Sequence, residues 1–435
     1  MRELVRQEIT DCSCGRIHRC PIKEIVIGKE AIGSLPAFLA EYGRPLLVFD
    51  TNTLRACGEA VKAELDKAGC AYDSVLFSCK EGELVIPNEQ GISWIETAMK
   101  SETKILVGVG SGVINDLCKY VSFHHGLPYI IVATATSMDG YASSGAAMIL
   151  AGMKVTVPCR PPIAVFADPQ VLRNAPEEMI AAGAGDIIGK YSSLIDWRLG
   201  ALIRKEAYCA EMDEMTMKEV RQVTEDLSLI RERDADAIGR LMHSLVQIGV
   251  AMAYVGNSRP GSGSEHHLSH FYEITGIVRN RPYLAHGIDV GYAAYLTIGM
   301  RHFLAAQDPK TFTPGTTLEV RTPVLREVYG PLSDEILSLQ EKTGFYREDR
   351  MPRIKEKWEE IRALLETFPT AEEYLAMLKT LGFRMEEFRA FYGEDYIRES
   401  ILYAKDLKER YTLLNLLADV GLLDTAADTA IKALA

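Results

Sequence analysis

Over the first ~170 residues, short apolar runs alternate with stretches of helical period. The runs lie at residues 23–28 (KEIVIG), 45–50 (PLLVFD), 72–78 (YDSVLFS), 104–108 (KILVG), 128–133 (PYIIVA) and 163–168 (IAVFAD). Several are almost continuously apolar, the pattern of a strand covered by helices on both faces. Between them, residues 54–68 and 112–123 repeat their apolar positions at helical spacing. This alternation predicts a doubly wound, mostly parallel α/β sheet.

After about residue 175 the β-branched runs disappear. Residues 178–201 are apolar almost all round and predict a buried helix or helix pair; residues 215–255 are amphipathic, and 353–365 carry charge on one face. Thr370 is followed three positions on by Glu373, a capping box for a helix that Gly382 can close. We expect residues 1–174 to form an α/β domain and 175–435 an all-α domain, with a ligand cleft between them.

Composition narrows the function classes. The chain has 48 Lys+Arg against 60 Asp+Glu, a formal charge of -12, which argues against a broad nucleic-acid footprint. It shows neither a secretory leader nor ~18 uninterrupted apolar residues, so no membrane span is expected. Nine cysteines, none after Cys209, do not form a disulfide framework and suggest a reducing, cytoplasmic compartment.

Four groups of residues bear on chemistry. Gly108-Val109-Gly110-Ser111-Gly112 ends a predicted strand and opens a helix containing Asp116 and Lys119. A glycine turn at a helix N-terminus offers close backbone N–H groups to a phosphate, although a purely steric turn has the same sequence. Thr134, Ser137 and Asp139 follow the next strand, at the sheet end where α/β proteins place ligands; a capped turn is the plainer alternative. Asp50 ends a strand and reads as a helix cap or as an acceptor for a ribose hydroxyl. In the helical half, His266, His267, His270 and His286 fall within 21 residues. His266 and His270 share a helix face, while His267 is turned about 100° away. Asp186 sits in an apolar helix and needs compensation, from a metal shared with the histidines or from Lys190 four residues on. Near the start, Cys12, Cys14, His18 and Cys20 have the donors for zinc but not a common finger spacing, so a loop or hairpin with buried thiols is expected.

The segments GVGSGVINDLCK, TATSMDGYAS, AGAGDIIGKYSSLIDW, GSGSEHHLSH and AHG occur in the order found in glycerol-1-phosphate dehydrogenases, and the chain resembles that family. The likeness runs from about residue 20 through residues 408–417 (KERYTLLNLL), and the length and Cys-rich start resemble the bacterial, arabinose-operon-type branch. It implies the dehydroquinate synthase-like fold of the iron-containing alcohol dehydrogenase superfamily. It further implies one divalent metal (zinc, nickel or iron) on Asp186, His266 and His286. The cofactor would be NAD(H), with NADP(H) as the alternative, on Asp50, Gly110, Ser111, Gly112, Asp116, Thr134 and Ser137. Lys190 stands where iron alcohol dehydrogenases have a third histidine, which points to a three-ligand site. The implied reaction is hydride transfer between the cofactor and C2 of dihydroxyacetone phosphate, giving sn-glycerol 1-phosphate. Asp139, His270 and Lys190 are the catalytic candidates, and Asp139, Lys190, Arg259 and Ser262 the substrate-binding ones. The expected partner is a small phosphorylated triose, and the expected assembly a homodimer without nucleic acid or membrane. A glycerol dehydrogenase, a dehydroquinate-synthase-like lyase and a non-catalytic nucleotide-binding module are the alternatives.

Overall fold

The computed structural model describes residues 2–78 and 85–434. Two compact units emerge: one comprises Met1–Ile187 and Glu214–Ser258, the other Ile188–Asp213 and Arg259–Ala435. The chain therefore changes unit more than once, whereas the texture of the sequence suggested one change near residue 175. The helix Ala235–Val255 and most of Ala210–Arg231 fold with the sheet.

All six expected strands form in the first unit: β4 (Glu24–Ile27), β5 (Pro45–Asp50), β6 (Asp73–Phe77), β7 (Ile105–Gly110), β8 (Tyr129–Ala133) and β11 (Ala164–Ala167). They pair in parallel, and β1 (Arg2–Leu4) adds an antiparallel edge to give the order β1-β4-β11-β8-β7-β5-β6. Side chains alternate across the sheet. Leu47, Phe49, Val107 and Val109 join a core on one face, and Leu46, Val48 and Leu106 join a core on the other. Burial of both faces is the reason these strands read as continuous apolar runs. From β5 the chain moves outward to β6, then returns across β5 to β7 and continues to β8. The direction reverses between β5 and β7, so their carboxyl ends frame the crevice where such sheets bind ligands.

Two further hairpins, not among the expected strands, form outside the main sheet: β2 (Glu8–Ile9) with β3 (His18–Arg19), and β9 (Gly145–Leu150) with β10 (Met153–Pro158). The helix Glu177–Ile188 packs on the chain after β8 with backbone against backbone. A Cβ on Gly183 would lie 1.8 Å from the Thr136 carbonyl oxygen, so glycine is the residue that permits this approach.

The helix Ala235–Val255 is long and apolar enough to span a membrane, but 78% of its apolar window is buried inside the protein, as in a core helix. It also holds the sheet edge. His243 bonds Glu3 of β1 at 2.8 Å and lies 3.6 Å from Glu219. Burial alone would lower the His243 imidazole, but the bonds to Glu219 and Glu3 outweigh it and lift its pKa to about 9.

The second unit is helical, with Lys190–Arg204, Ser264–Arg279 and His286–Ala305 followed by shorter helices to the C-terminus. The Thr370–Glu373 capping box forms and starts Ala371–Thr380, which Gly382 follows at φ 88°. Asp196 is fully enclosed and accepts backbone N–H bonds from Ser264 at 2.5 Å and Leu413 at 2.6 Å, so it caps two helices at once.

Two outcomes test this packing. The His243 pKa is higher folded than unfolded (~6.5), so its stabilisation is complete below that pH and is lost as pH rises through about 9. His243→Gln should flatten the decline of Tm over that window; a wild-type slope in the variant refutes the ion-pair account. Gly183→Ala should destabilise by ~2 kcal/mol or more in chemical unfolding, despite a gain of ~1 kcal/mol in helix propensity. A variant as stable as wild type would show that the helix can move off Thr136.

Candidate active site

In the first unit the chemistry gathers at the carboxyl ends of β5, β7 and β8. Gly110 ends β7, and a Cβ there would come within 2.6 Å of Ile114, so this turn is close to the helix it feeds. Ser111 stands at the N-cap of Gly112–His124 but makes no side-chain cap bond. The first amides of that helix therefore keep their donor capacity at the sheet's switch point, which fits a pyrophosphate. Thr134 continues β8, its N–H bonded to the Gly110 carbonyl at 3.1 Å. Ser137 lies half-buried near the Tyr141 hydroxyl.

Asp50 is a cap. Its Oδ1 accepts from Asn52 N and Thr53 N, both at 2.8 Å, within a capping box. Asp116 is placed away from the glycine turn. It is buried one helical turn further on and faces Lys119 at 3.4 Å, and burial raises its pKa. The Lys119 ammonium, itself fully enclosed, donates to the carbonyls of Gly140 at 2.8 Å and Gly145 at 2.9 Å. Lys119, with Asp116 beside it, pins the turn that carries Asp139.

Asp139 and Asp186 are joined within this unit. The Asp139 N–H donates to Asp186 Oδ2 at 3.0 Å, and both side chains are buried. The Gly183 contact makes the bond possible, since it brings Asp186, one turn later, level with the Asp139 backbone. The helix ends at Ile188, so Asp186 lies two residues before the chain enters the second unit.

In the second unit three imidazoles converge. The His266 ring centre lies 5.1 Å from that of His286, and His270 lies 5.4 Å from His286. Each Nδ1 meets a buried carboxylate: His266 with Glu265 at 2.7 Å, His270 with Glu273 at 2.9 Å, and His286 with Glu273 at 3.2 Å. A carboxylate on Nδ1 fixes the tautomer and leaves Nε2 as the donor atom for a metal or substrate, as expected of a ligand set. Burial pushes the His270 pKa down to about 3, so its ring is neutral. Sequence reasoning missed Glu265, Glu273 and Asp196. The His270–Glu273 spacing of three residues on one helix was the available signal.

His267 is turned away, as expected from its position on the helix. It is fully buried, neither ring nitrogen is hydrogen-bonded, and burial drives its pKa well below the usual value, aided by the cations of Arg410, Lys408 and Arg259. Lys190 is enclosed at the start of its helix, where its charge helps hold the Glu265 carboxyl below the usual range against the effect of burial. Arg259 is committed to structure: its guanidinium pairs with Glu206 and donates to the Tyr411 carbonyl at 2.9 Å. Arg410, whose pKa burial pushes down to about 10, reaches the Ser262 carbonyl at 3.2 Å.

The family profile of iron-containing alcohol dehydrogenases matches residues 26–176. The glycerol-1-phosphate dehydrogenase [NAD(P)+] of Bacillus licheniformis is 30% identical over 96% of this chain and 94% of its own length. That of Geobacillus stearothermophilus is 31% identical, over 94% of this chain and 96% of its own. In fold, the chain is similar to the iron-containing alcohol dehydrogenase of Thermococcus thioreducens, with a TM-score of 0.61 at 15% identity, covering 96% of this chain and 99% of that one. With the switch-point glycine turn and the carboxylate-tethered histidines, these likenesses establish that the chain belongs to the glycerol-1-phosphate dehydrogenase family, within the iron-containing alcohol dehydrogenase superfamily.

Proposed function

We propose that the protein interconverts dihydroxyacetone phosphate and sn-glycerol 1-phosphate with NAD(P)H. The observation that carries this reading is the paired His266 and His286, each with Nδ1 on a carboxylate, in a chain similar along nearly its whole length to glycerol-1-phosphate dehydrogenases. Asp186, His266 and His286 are the proposed ligands of one divalent ion, and their imidazole and carboxylate donors suit zinc, nickel or iron. When bound, the ion supplies Lewis acidity at the substrate's C2 oxygen and the nicotinamide supplies the hydride.

The remaining steps fall to side chains. Asp186, held by the Asp139 N–H, is prevented from rotating away. His270, neutral and anchored on Glu273, presents its Nε2 lone pair to accept a hydrogen bond from the C2 hydroxyl and so orient it. Gly110, Ser111 and Gly112 receive the pyrophosphate, and Thr134, Ser137 and Asp139 line the nicotinamide end. The substrate phosphate needs local cations, since a net charge of -12 attracts no dianion at long range. Lys408 and Arg410, whose charges act on His267, are the cations we assign to it; Lys190 and Ser262 support them, and Arg259 positions residue 411. The same reading carries a homodimeric, cytoplasmic enzyme, checked by light scattering and cell fractionation.

Assay of the purified protein should show kcat/KM for dihydroxyacetone phosphate at least ~100-fold above that for dihydroxyacetone, as two charge-assisted phosphate contacts would give. Lys408→Ala should erode that ratio through KM. His286→Ala should abolish activity and metal retention, whereas His267→Ala should retain the metal. Equal kcat/KM for glycerol and glycerol 1-phosphate would instead identify a glycerol dehydrogenase.

NADH is the expected preferred donor. Both cap bonds fall on Asp50 Oδ1, so Oδ2 can accept from an adenosine ribose and repel a 2′-phosphate. Asp50→Asn keeps the cap and removes the charge. It should raise the NADPH/NADH ratio of kcat/KM about tenfold, or ~1.4 kcal/mol, with Tm unchanged. An unaltered ratio would remove Asp50 from the cofactor site.

A further inference from the structure

We propose that Cys12, Cys14 and His18 are ligands of a structural zinc ion, separate from the catalytic metal, that locks the N-terminal hairpin onto the sheet-bearing unit. The three residues belong to one small element. β2 and β3 pair Ile9 with His18, and the loop between them turns at Cys12, where Gly15 N bonds the Cys12 carbonyl at 3.0 Å. Gly15 adopts φ 73°, a conformation that residues with side chains rarely take, so the turn depends on it. The turn aims both thiols back toward β3.

The donor geometry fits a tetrahedral ion. Cys12 Sγ lies 3.4 Å from Cys14 Sγ, and Cys14 Sγ lies 3.2 Å from His18 Nε2. The three donor atoms all lie within 4.8 Å of one another. The Sγ–Sγ separation is far beyond the ~2.05 Å of a disulfide. It is close to the edge of about 3.8 Å that two thiolates span on zinc, given Zn–S distances of about 2.3 Å. The histidine is oriented for the task. Its Nδ1 lies 2.8 Å from the Tyr254 carbonyl in the last turn of Ala235–Val255, so Nδ1 carries the proton and Nε2 offers its lone pair to the thiol side. That carbonyl belongs to the helix's final turn, where no intrahelical N–H remains to satisfy it.

Cys20 stands outside the set. Its backbone N–H bonds Gln7 and its buried thiol is raised to about 11, so it stays protonated. Two thiolates with one imidazole select zinc over the harder metals that suit an imidazole–carboxylate site. Three donors from one hairpin leave the fourth position to be filled from outside it. The ion also answers a structural need: β2 and β3 are two residues each, too short to hold a hairpin without a cross-link or docking contact. The hairpin is docked through the Tyr254 hydroxyl, which donates to the Arg6 carbonyl, and through His18. A zinc ion would join the loop to both ends of this attachment.

The test uses the full-length protein, with metal content by mass spectrometry and then cobalt(II) exchanged for zinc. Wild type should retain one equivalent of zinc after the catalytic metal has been stripped. Its cobalt form should show a thiolate-to-cobalt charge-transfer band, which a histidine–aspartate site cannot produce. Cys12→Ser/Cys14→Ser should lose that equivalent and the band, while His286→Ala and Cys20→Ser keep both. Alkylation of wild type needs no variant: Cys12 and Cys14 should be protected with zinc and labelled without it. Absence of the band from wild-type cobalt protein, or equal alkylation with and without zinc, overturns the proposal whatever the fate of the catalytic assignment.

Discussion

The approach of the helix Glu177–Ile188 to the turn after β8 sets the geometry of the first unit's chemistry. At Gly183 only hydrogen separates the helix from the Thr136 carbonyl. That closeness lets Asp186 receive the Asp139 N–H, so a carboxylate on a helix and a polar turn at the sheet end become one rigid object. Lys119 secures the turn from the opposite side by donating to the Gly140 and Gly145 carbonyls. A buried ammonium would be costly by itself, and Asp116 beside it supplies the compensation. Asp116 and Lys119 thus help to hold in place the turn that carries Asp139.

The second unit solves a related problem with carboxylates. Imidazoles crowded within 5–6 Å of each other must share neither protons nor orientations at random. Glu265 and Glu273 each fix an Nδ1, and Glu273 serves two rings. The helix that carries His266 and His270 begins where Asp196 caps it. Burial and the nearby Glu265 raise the pKa of that aspartate to about 7. Its backbone donors allow it to remain there at all, because each N–H bond favours the charged form.

Acidic composition and local basicity coexist here because electrostatics among buried groups is decided over a few ångströms. Arg259, Lys408 and Arg410 all act on the buried His267 and push it toward the neutral form, while the whole chain carries a charge of -12. Such a cluster concentrates positive potential where low-dielectric walls strengthen it.

The amino-acid sequence by itself determined the sheet and which of the clustered histidines share a helix face. Strands buried on both faces must be apolar throughout, so all six parallel strands were legible, as was the glycine turn at the end of β7 and the capping box at Thr370. The histidine positions were visible because helical spacing alone tells His266 from His267. Tertiary structure decided what local patterns do not encode. The β9–β10 hairpin joins an apolar run, GAAMIL, to a mixed one, MKVTVP, and nothing local in either says that they pair with each other and not with the main sheet. Helices after residue 175 divide between two units because a shared apolar face does not name its partner. Arg259 faces Glu206, 53 residues away, and Tyr411, 152 residues away, so its commitment is invisible to any local reading. Cys20 sits two residues from His18, yet its buried thiol is not among the donors that the fold groups around Cys12, Cys14 and His18, because chain folding and not spacing along the sequence decides which thiols meet.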